Sequence, residues 1–166
     1  GGSGGAGVAA LQISRAFGAR VITTTSSQWK AERLYKLGAE AVFQVNQALP
    51  ENVIKVCGGA DIVFDTLGSL TVPLGIKSLK KGGKLISIAM TTGSELNFNL
   101  RDIYSNNIDM IGVYLGTRGD IFDLVRAVSS GSIKPVIDSL FPIEEVARAQ
   151  EKMEQRTHFG KILLKF

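Results

Sequence analysis

Gly2-Ser3-Gly4-Gly5-Ala6-Gly7 spaces its glycines as G-x-G-x-x-G and runs straight into the apolar stretch Val8 to Phe17. A loop of this kind can hold phosphate. Without a Cβ, Gly2 can take a tight turn, Gly4 lets the backbone approach a pyrophosphate, and Gly7 lets the following helix pack closely on its neighbouring strand. The helix N-terminus adds unpaired N–H groups and a partial positive charge. Gly2, Gly4, Gly5, Ala6 and Gly7 are therefore the candidate phosphate-binding residues. A flexible spacer has the same look. Against that reading, Val8, Leu11, Ile13 and Phe17 with several alanines form a helix fit for burial, stopped at Phe17-Gly18-Ala19.

A second constellation is Thr23-Thr24-Thr25-Ser26-Ser27-Gln28-Trp29-Lys30. A site for NAD places an Asp or Glu about 20 residues after the glycine loop, where it accepts from the ribose hydroxyls. Between Gly1 and Lys30 no acidic residue occurs. The hydroxyls of Thr25, Ser26 and Ser27 with the cation of Lys30 suit the 2′-phosphate of NADP, which a carboxylate would repel. NADP(H) is the expected cofactor, with NAD(H) as the other candidate. The competing reading is a helix N-cap by Ser27 followed by a solvated lysine.

The elements that must position these residues alternate along the chain. Arg20 to Thr24 reads as a strand, Gln28 to Leu37 as a helix, Ala41 to Val45 as a strand, Glu51 to Cys57 as a helix and Asp61 to Asp65 as a strand. Val72 to Leu79 reads as a helix ended by Lys80-Lys81-Gly82-Gly83, and Lys84 to Met90 as a strand. A short helix at Leu100 to Asn106, a strand at Asp109 to Leu115 and a helix at Gly119 to Ser130 follow. A strand at Val136 to Phe141, a helix at Ile143 to Glu154 and a strand at Gly160 to Phe166 complete the pattern. This order, with mostly apolar strands, predicts one α/β domain over residues 1–166: a Rossmann-type doubly wound fold, its mostly parallel sheet covered by helices on both faces. The strand of about five residues that feeds such a loop is expected to be missing, because the sequence starts at Gly1.

Ligands of such sheets bind beyond the carboxyl ends of the strands. At the end Phe64-Asp65-Thr66-Leu67-Gly68-Ser69, the Asp65 carboxylate either faces a cofactor or anchors the next turn. At Ile88-Ala89-Met90-Thr91-Thr92-Gly93, small residues would let a flat nicotinamide ring approach the backbone. Leu115-Gly116-Thr117-Arg118-Gly119 is a fourth end, or simply the start of a helix.

Composition sets limits. The 166 residues, 45% hydrophobic, suffice for one core, and no stretch approaches the roughly 20 uninterrupted apolar residues of a membrane span. Net charge is +4, with the cations scattered rather than striped, so neither a nucleic-acid nor a membrane partner is indicated. The lone Cys57 makes no internal disulfide, which suits a cytoplasmic protein. One His and one Cys cannot supply a three-ligand catalytic zinc site without several carboxylates, so no metal residue is expected.

The whole pattern resembles the C-terminal cofactor-binding domain of the medium-chain dehydrogenase/reductase superfamily, which includes zinc alcohol dehydrogenases and quinone oxidoreductases. The resemblance rests on Gly2 to Gly7, Gly18 to Ile22, Lys36 to Ala39, Asp61 to Gly68, Lys81 to Ile86, Ile133 to Asp138 and His158 to Leu164, in this order. It implies that the loop binds pyrophosphate and that Ser27 and Lys30 match the NADP-phosphate positions. It further implies that Asp65, Thr66, Leu67, Ala89, Met90, Leu115 and Gly116 line the nicotinamide side, with His158 at a polar position near the cofactor. A dimer is implied too, formed edge to edge through the strand at Asp109 to Leu115.

The same resemblance implies a separate catalytic domain that supplies any zinc ligands, the proton relay and the small-molecule substrate pocket. The expectation is an oxidoreductase domain for hydride transfer between NADP(H) and an alcohol, aldehyde or quinone-type substrate, inactive by itself and with no catalytic residue of its own. The alternative is a non-catalytic nucleotide-sensing or interaction domain. A methyltransferase shares the opening glycines, and the acid-free stretch Thr25 to Ser27 argues against it.

Overall fold

Val8 and Leu11, three residues apart, share one face of a helix and are both 2% exposed. In the computed structural model, which describes residues 1–166, this helix is α1 (Gly5–Ala16), and it starts directly on the glycine loop. Gly18, at φ +80°, ends it by donating its N–H to the Arg15 carbonyl. Then follow β1 (Ile22–Thr24), α2 (Gln28–Lys36), β2 (Ala41–Phe43), α3 (Leu49–Cys57), β3 (Ala60–Asp65), α4 (Val72–Ser78), β4 (Leu79–Ser87), α5 (Leu100–Tyr104) and β5 (Asp109–Gly112). The chain closes with α6 (Arg118–Ser129), β6 (Ile137–Pro142), a 3-10 turn (Ile143–Glu145), α7 (Val146–Glu154) and β7 (Lys161–Lys165). This is the expected alternation, in a Rossmann-type α/β fold whose registered strand pairs are parallel.

Two compact units divide the chain: Gly1 with Phe43–Thr117, and Gly2–Val42 with Arg118–Phe166. In the first, β3, β4 and β5 form a three-stranded sheet in that order. Val72 and Ile76 of α4 pack on Leu85 of β4, with Val63, Phe98 and Ile103 around them. Gly75 lies in that contact, where a Cβ would meet Val63 Cγ1 at 3.0 Å and Leu85 Cδ1 at 3.2 Å. In the second unit, Val8, Leu11, Leu34, Ala39 and Phe159 make the core, and β6 pairs with β7. Phe159, next to β7, is 1% exposed within a cluster otherwise drawn from the first two helices and their ends.

Several strands are shorter than the sequence reading, with β1 starting at Ile22, β2 ending at Phe43, β4 at Ser87 and β5 at Gly112, and three further departures stand out. β4 begins at Leu79, not Lys84: Leu79 is already extended and pairs with Ala60, and a register shift precedes the Ile62–Lys84 pair. The last helix is preceded by a 3-10 turn, because Ile143–Glu145 wind more tightly first, directly after the extended Pro142. The strands form three hydrogen-bonded groups, β1-β2, β3-β4-β5 and β6-β7, rather than one sheet. No helix is long and apolar enough to cross a membrane.

Candidate cofactor site

In the second unit the glycine loop is held on two sides. Gly2 donates its N–H to the Thr24 carbonyl at the end of β1 (2.9 Å), and Gly160 donates to the Ser3 carbonyl (3.0 Å). Gly2 has no room for a side chain, since a Cβ would lie 1.9 Å from Thr23 Oγ1 and 2.9 Å from the Thr24 carbonyl oxygen. Gly4 caps α1 at φ −76° and ψ 168°, an extended conformation open to any residue, so torsional freedom does not explain this glycine. α1 has neither a side-chain cap nor an acidic residue in its first turn. Its N-terminal N–H groups and partial positive charge are thus left without a side-chain acceptor.

A cleft of about 210 Å³ opens beside this helix start, lined by Gly5, Met153, His158, Gly160, Lys161 and Ile162. The Lys161 side chain lies across Gly5: a Cβ there would meet its Cε at 2.4 Å and its Nζ at 2.9 Å. His158 Nδ1 is buried with no hydrogen-bond partner. A helix N-terminus and an ammonium beside one cleft are chemistry suited to a phosphate group. The sequence reading gave His158 a place near a cofactor and missed Lys161, whose approach to Gly5 depends on how β7 is laid beside the loop.

The hydroxyl cluster lies at the end of β1. Thr25 is buried and its Oγ1 accepts the Ser27 N–H at 3.4 Å; Ser26 is exposed. Ser27 is the N-cap residue of α2 by position, yet its hydroxyl makes no capping bond. Lys30 is neither solvated nor turned toward these hydroxyls. It is 6% exposed, its ammonium donates to the Arg156 carbonyl, and Nζ sits 5.4 Å from the centroid of the Trp29 ring. Burial pushes its pKa down, the nearby Asp138 carboxylate pulls it back, and Arg156 lowers it further.

In the first unit, Asp65 is 5% exposed and its carboxylate is fully engaged. Oδ2 accepts from the N–H groups of Leu67 (3.2 Å) and Gly68 (2.8 Å), and Oδ1 accepts from the Thr71 hydroxyl. Of the two readings left open, this is the turn anchor. The loop after β3 is laced to the loop after β4 through Thr92, whose N–H and hydroxyl both donate to the Leu67 carbonyl at 2.7 and 2.8 Å. Thr66, Leu67 and Ala89 are half-buried on these loops, while Met90, Leu115 and Gly116 are exposed. No three His, Cys, Asp or Glu side chains converge as metal ligands.

A protein-family model described as zinc-binding dehydrogenase matches residues 5–130. The acryloyl-coenzyme A reductase of Sulfurisphaera tokodaii is 32% identical over 166 residues, covering 99% of this chain and 49% of the relative. The quinone oxidoreductase of Rattus norvegicus is 30% identical over 174 residues, covering 99% of this chain and 52% of the relative. A crystal structure of an NAD-dependent alcohol dehydrogenase superposes with a TM-score of 0.90 at 31% identity, over 99% of this chain and 49% of that one. The chain thus spans about half the length of the relatives it matches. With its parallel α/β fold and glycine-loop helix, the chain belongs to the zinc-binding dehydrogenase family, in the cofactor-binding domain of the medium-chain dehydrogenase/reductase superfamily.

Proposed function

We propose that this chain binds a nicotinamide dinucleotide, with NADP(H) preferred, for an oxidoreductase that moves hydride to or from a small molecule. The observation that carries the reading is the cleft at the start of α1, where Lys161 crosses Gly5 and His158 lines the wall. When bound, the nicotinamide ring would supply the hydride chemistry. The chain's own part is to hold the pyrophosphate: Gly2, Gly4, Gly5, Ala6 and Gly7 bring backbone close, α1 offers its N–H groups, and Lys161 adds a positive charge. Thr66, Leu67, Ala89, Met90, Leu115 and Gly116 are assigned to the nicotinamide side on the strength of the resemblance, with Asp65 anchoring the turn that carries Thr66 and Leu67.

The preference for NADP(H) is supported by the free Ser27 hydroxyl, the exposed Ser26 and the lack of any carboxylate before Glu32. NAD(H) remains the second reading, favoured by the name of the alcohol dehydrogenase structure. Relatives named acryloyl-coenzyme A reductase and quinone oxidoreductase favour a substrate with an activated double bond or a quinone over a simple alcohol. The exposed β5, with Met110 and Ile111 at 41% and 39%, supports a dimer formed along that edge.

Calorimetric titration of the folded chain with NADPH and with NADH tests the reading. Tighter binding of NADPH is the expected result. Equal affinities would remove the 2′-phosphate assignment, and no binding of either would remove the cofactor reading. If the full gene encodes no catalytic domain, the nucleotide-sensing alternative replaces the enzyme.

A further inference from the structure

Gln12 lies two turns after Gly5 on α1 and on the same face of the helix. Its carboxamide reaches the turn before β6 and bonds both backbone groups of one residue there. Nε2 donates to the Lys134 carbonyl at 2.9 Å, and Oε1 accepts the Lys134 N–H at 3.0 Å. Asn and Gln carry a donor and an acceptor side by side on one planar amide, and Gln has the longer reach from a helix. Pro135 follows Lys134 and biases it to extended backbone, in which N–H and C=O leave on the same edge. Gln12 thus takes the place that a neighbouring strand would hold.

The bonded segment continues toward the cleft. Val136, two residues after Lys134, accepts the Lys161 N–H at 2.9 Å, and Gly160 comes so close that a Cβ would lie 2.3 Å from the same carbonyl oxygen. Val136 also packs against the core cluster that contains Val8 and Leu11 of α1. The Lys161 side chain in turn crosses Gly5. A closed circuit results: Gly5 to Gln12 along α1, Gln12 to Lys134, Val136 to Lys161, and Lys161 back over Gly5. From the other side, the Gly160 N–H ties the start of β7 to Ser3 at 3.0 Å. We infer that Gln12 is a positioning residue: by clamping Lys134 to α1 it sets where Lys161 lies over the helix start, and so raises the affinity of that cleft for the phosphates of NADPH and NADH alike. What Lys161 does for a ligand rests on the dinucleotide reading; the clamp itself belongs to the ligand-free chain.

Gln12→Met tests this, since it keeps the length and helix propensity of the side chain while removing both bonds. In the ligand-free chain it should speed amide exchange at Lys134 and Lys161 about tenfold and leave Leu34 unchanged. Unchanged exchange at Lys161 would overturn the inference. In calorimetry it should weaken NADPH and NADH equally, by about fivefold. The same substitution added to Lys161→Met, where the glycine loop alone holds the phosphates, should cost nothing further, because a residue acting through Lys161 loses its effect with that side chain. Equal losses in the two backgrounds, which a merely structural role would give, would overturn it. Should Gln12→Met not fold, the native chain decides: one Nε2 proton of Gln12 should exchange slowly with water, and a rate like that of a solvated glutamine would overturn the clamp. Should the native chain bind neither dinucleotide, the cofactor reading fails while amide exchange still judges the clamp.

Discussion

Lys161 occupies the space in which a side chain at Gly5 would stand, its Cδ 2.6 Å from the position of a Gly5 Cβ. The two residues come from opposite ends of the chain. They meet because the start of β7 runs parallel to the glycine loop, with Gly160 bridged to Gly4. Glycine at position 5 therefore has a local reason: the loop leaves room for a cation above a helix N-terminus, and both favour an anion in the same place.

Gly5→Ala tests that reason directly. The obstructing atoms are the far end of a flexible lysine, so the fold should survive while the ammonium swings away. Both NADPH and NADH should bind about tenfold more weakly, the worth of one charged hydrogen bond, with the melting temperature nearly unchanged. Calorimetry decides it, and unchanged affinity for both would take Lys161 out of the site.

Gly160→Ala has no such escape. The residue sits at φ +90°, and a Cβ would lie 2.3 Å from the Val136 carbonyl oxygen, which is backbone. Torsional strain alone costs about 1–3 kcal/mol, and the β6–β7 strand pair must shift as well. A urea titration should show the midpoint falling by at least that equivalent. A midpoint equal to the native one would mean that the Val136 to Lys161 approach is looser than described.

Asp138 gives the chain an acid-sensitive point. Burial raises its pKa, but bonds from Lys152, the Phe159 N–H and Ser139 outweigh that and hold it below the ordinary 3.8. A carboxylate with a depressed folded pKa stabilises fully above the unfolded value, and that contribution is lost as the pH falls through the folded value. Below about pH 4 the native chain should therefore weaken progressively. Asp138→Asn should be less stable at pH 7 by roughly 1–3 kcal/mol and should show a flatter acid limb in urea midpoints taken down to about pH 2. Parallel acid limbs in the two proteins would place the sensitivity elsewhere.

Element types were readable because their causes are local. Val8 and Leu11 lie at helical spacing, Gly18 and Gly38 stop helices at positive φ, and the β-branched run at Ile22 to Thr24 reads as a strand. The start of β4 was not, since Leu79 is extended by its pairing with Ala60, a partner that spacing does not reveal. The same applies to the site. A glycine loop opening a helix is a local signal, whereas the inward turn of Lys30 depends on Arg156, far along the chain. Asp65 lay between these cases: Asp followed by Gly three residues on permits a turn, and only the bonds from Leu67, Gly68 and Thr71 choose it.

The lacing of the loops after β3 and β4 leads to the last prediction. The Thr92 hydroxyl donates to the Leu67 carbonyl at 2.8 Å and accepts the Leu70 N–H at 3.1 Å. Thr92→Val keeps the volume and the backbone bond to Leu67 but removes both of these. Because Thr92 is exposed, water replaces the lost partners and global stability should fall by only about 0.5–1.5 kcal/mol. The local effect should be larger, since the hydroxyl is what ties Leu70 to the neighbouring loop. Amide exchange at Leu70 should quicken severalfold, Thr92→Ser should restore it, and the Leu85 amide in the strand core should not change. Exchange at Leu70 as slow as in the native chain would show that the remaining bonds, Thr92 N–H to Leu67 (2.7 Å), Ser69 N–H to Gly93 (3.1 Å) and the Ser69 hydroxyl to the Thr92 carbonyl (2.6 Å), suffice to hold the two loops together.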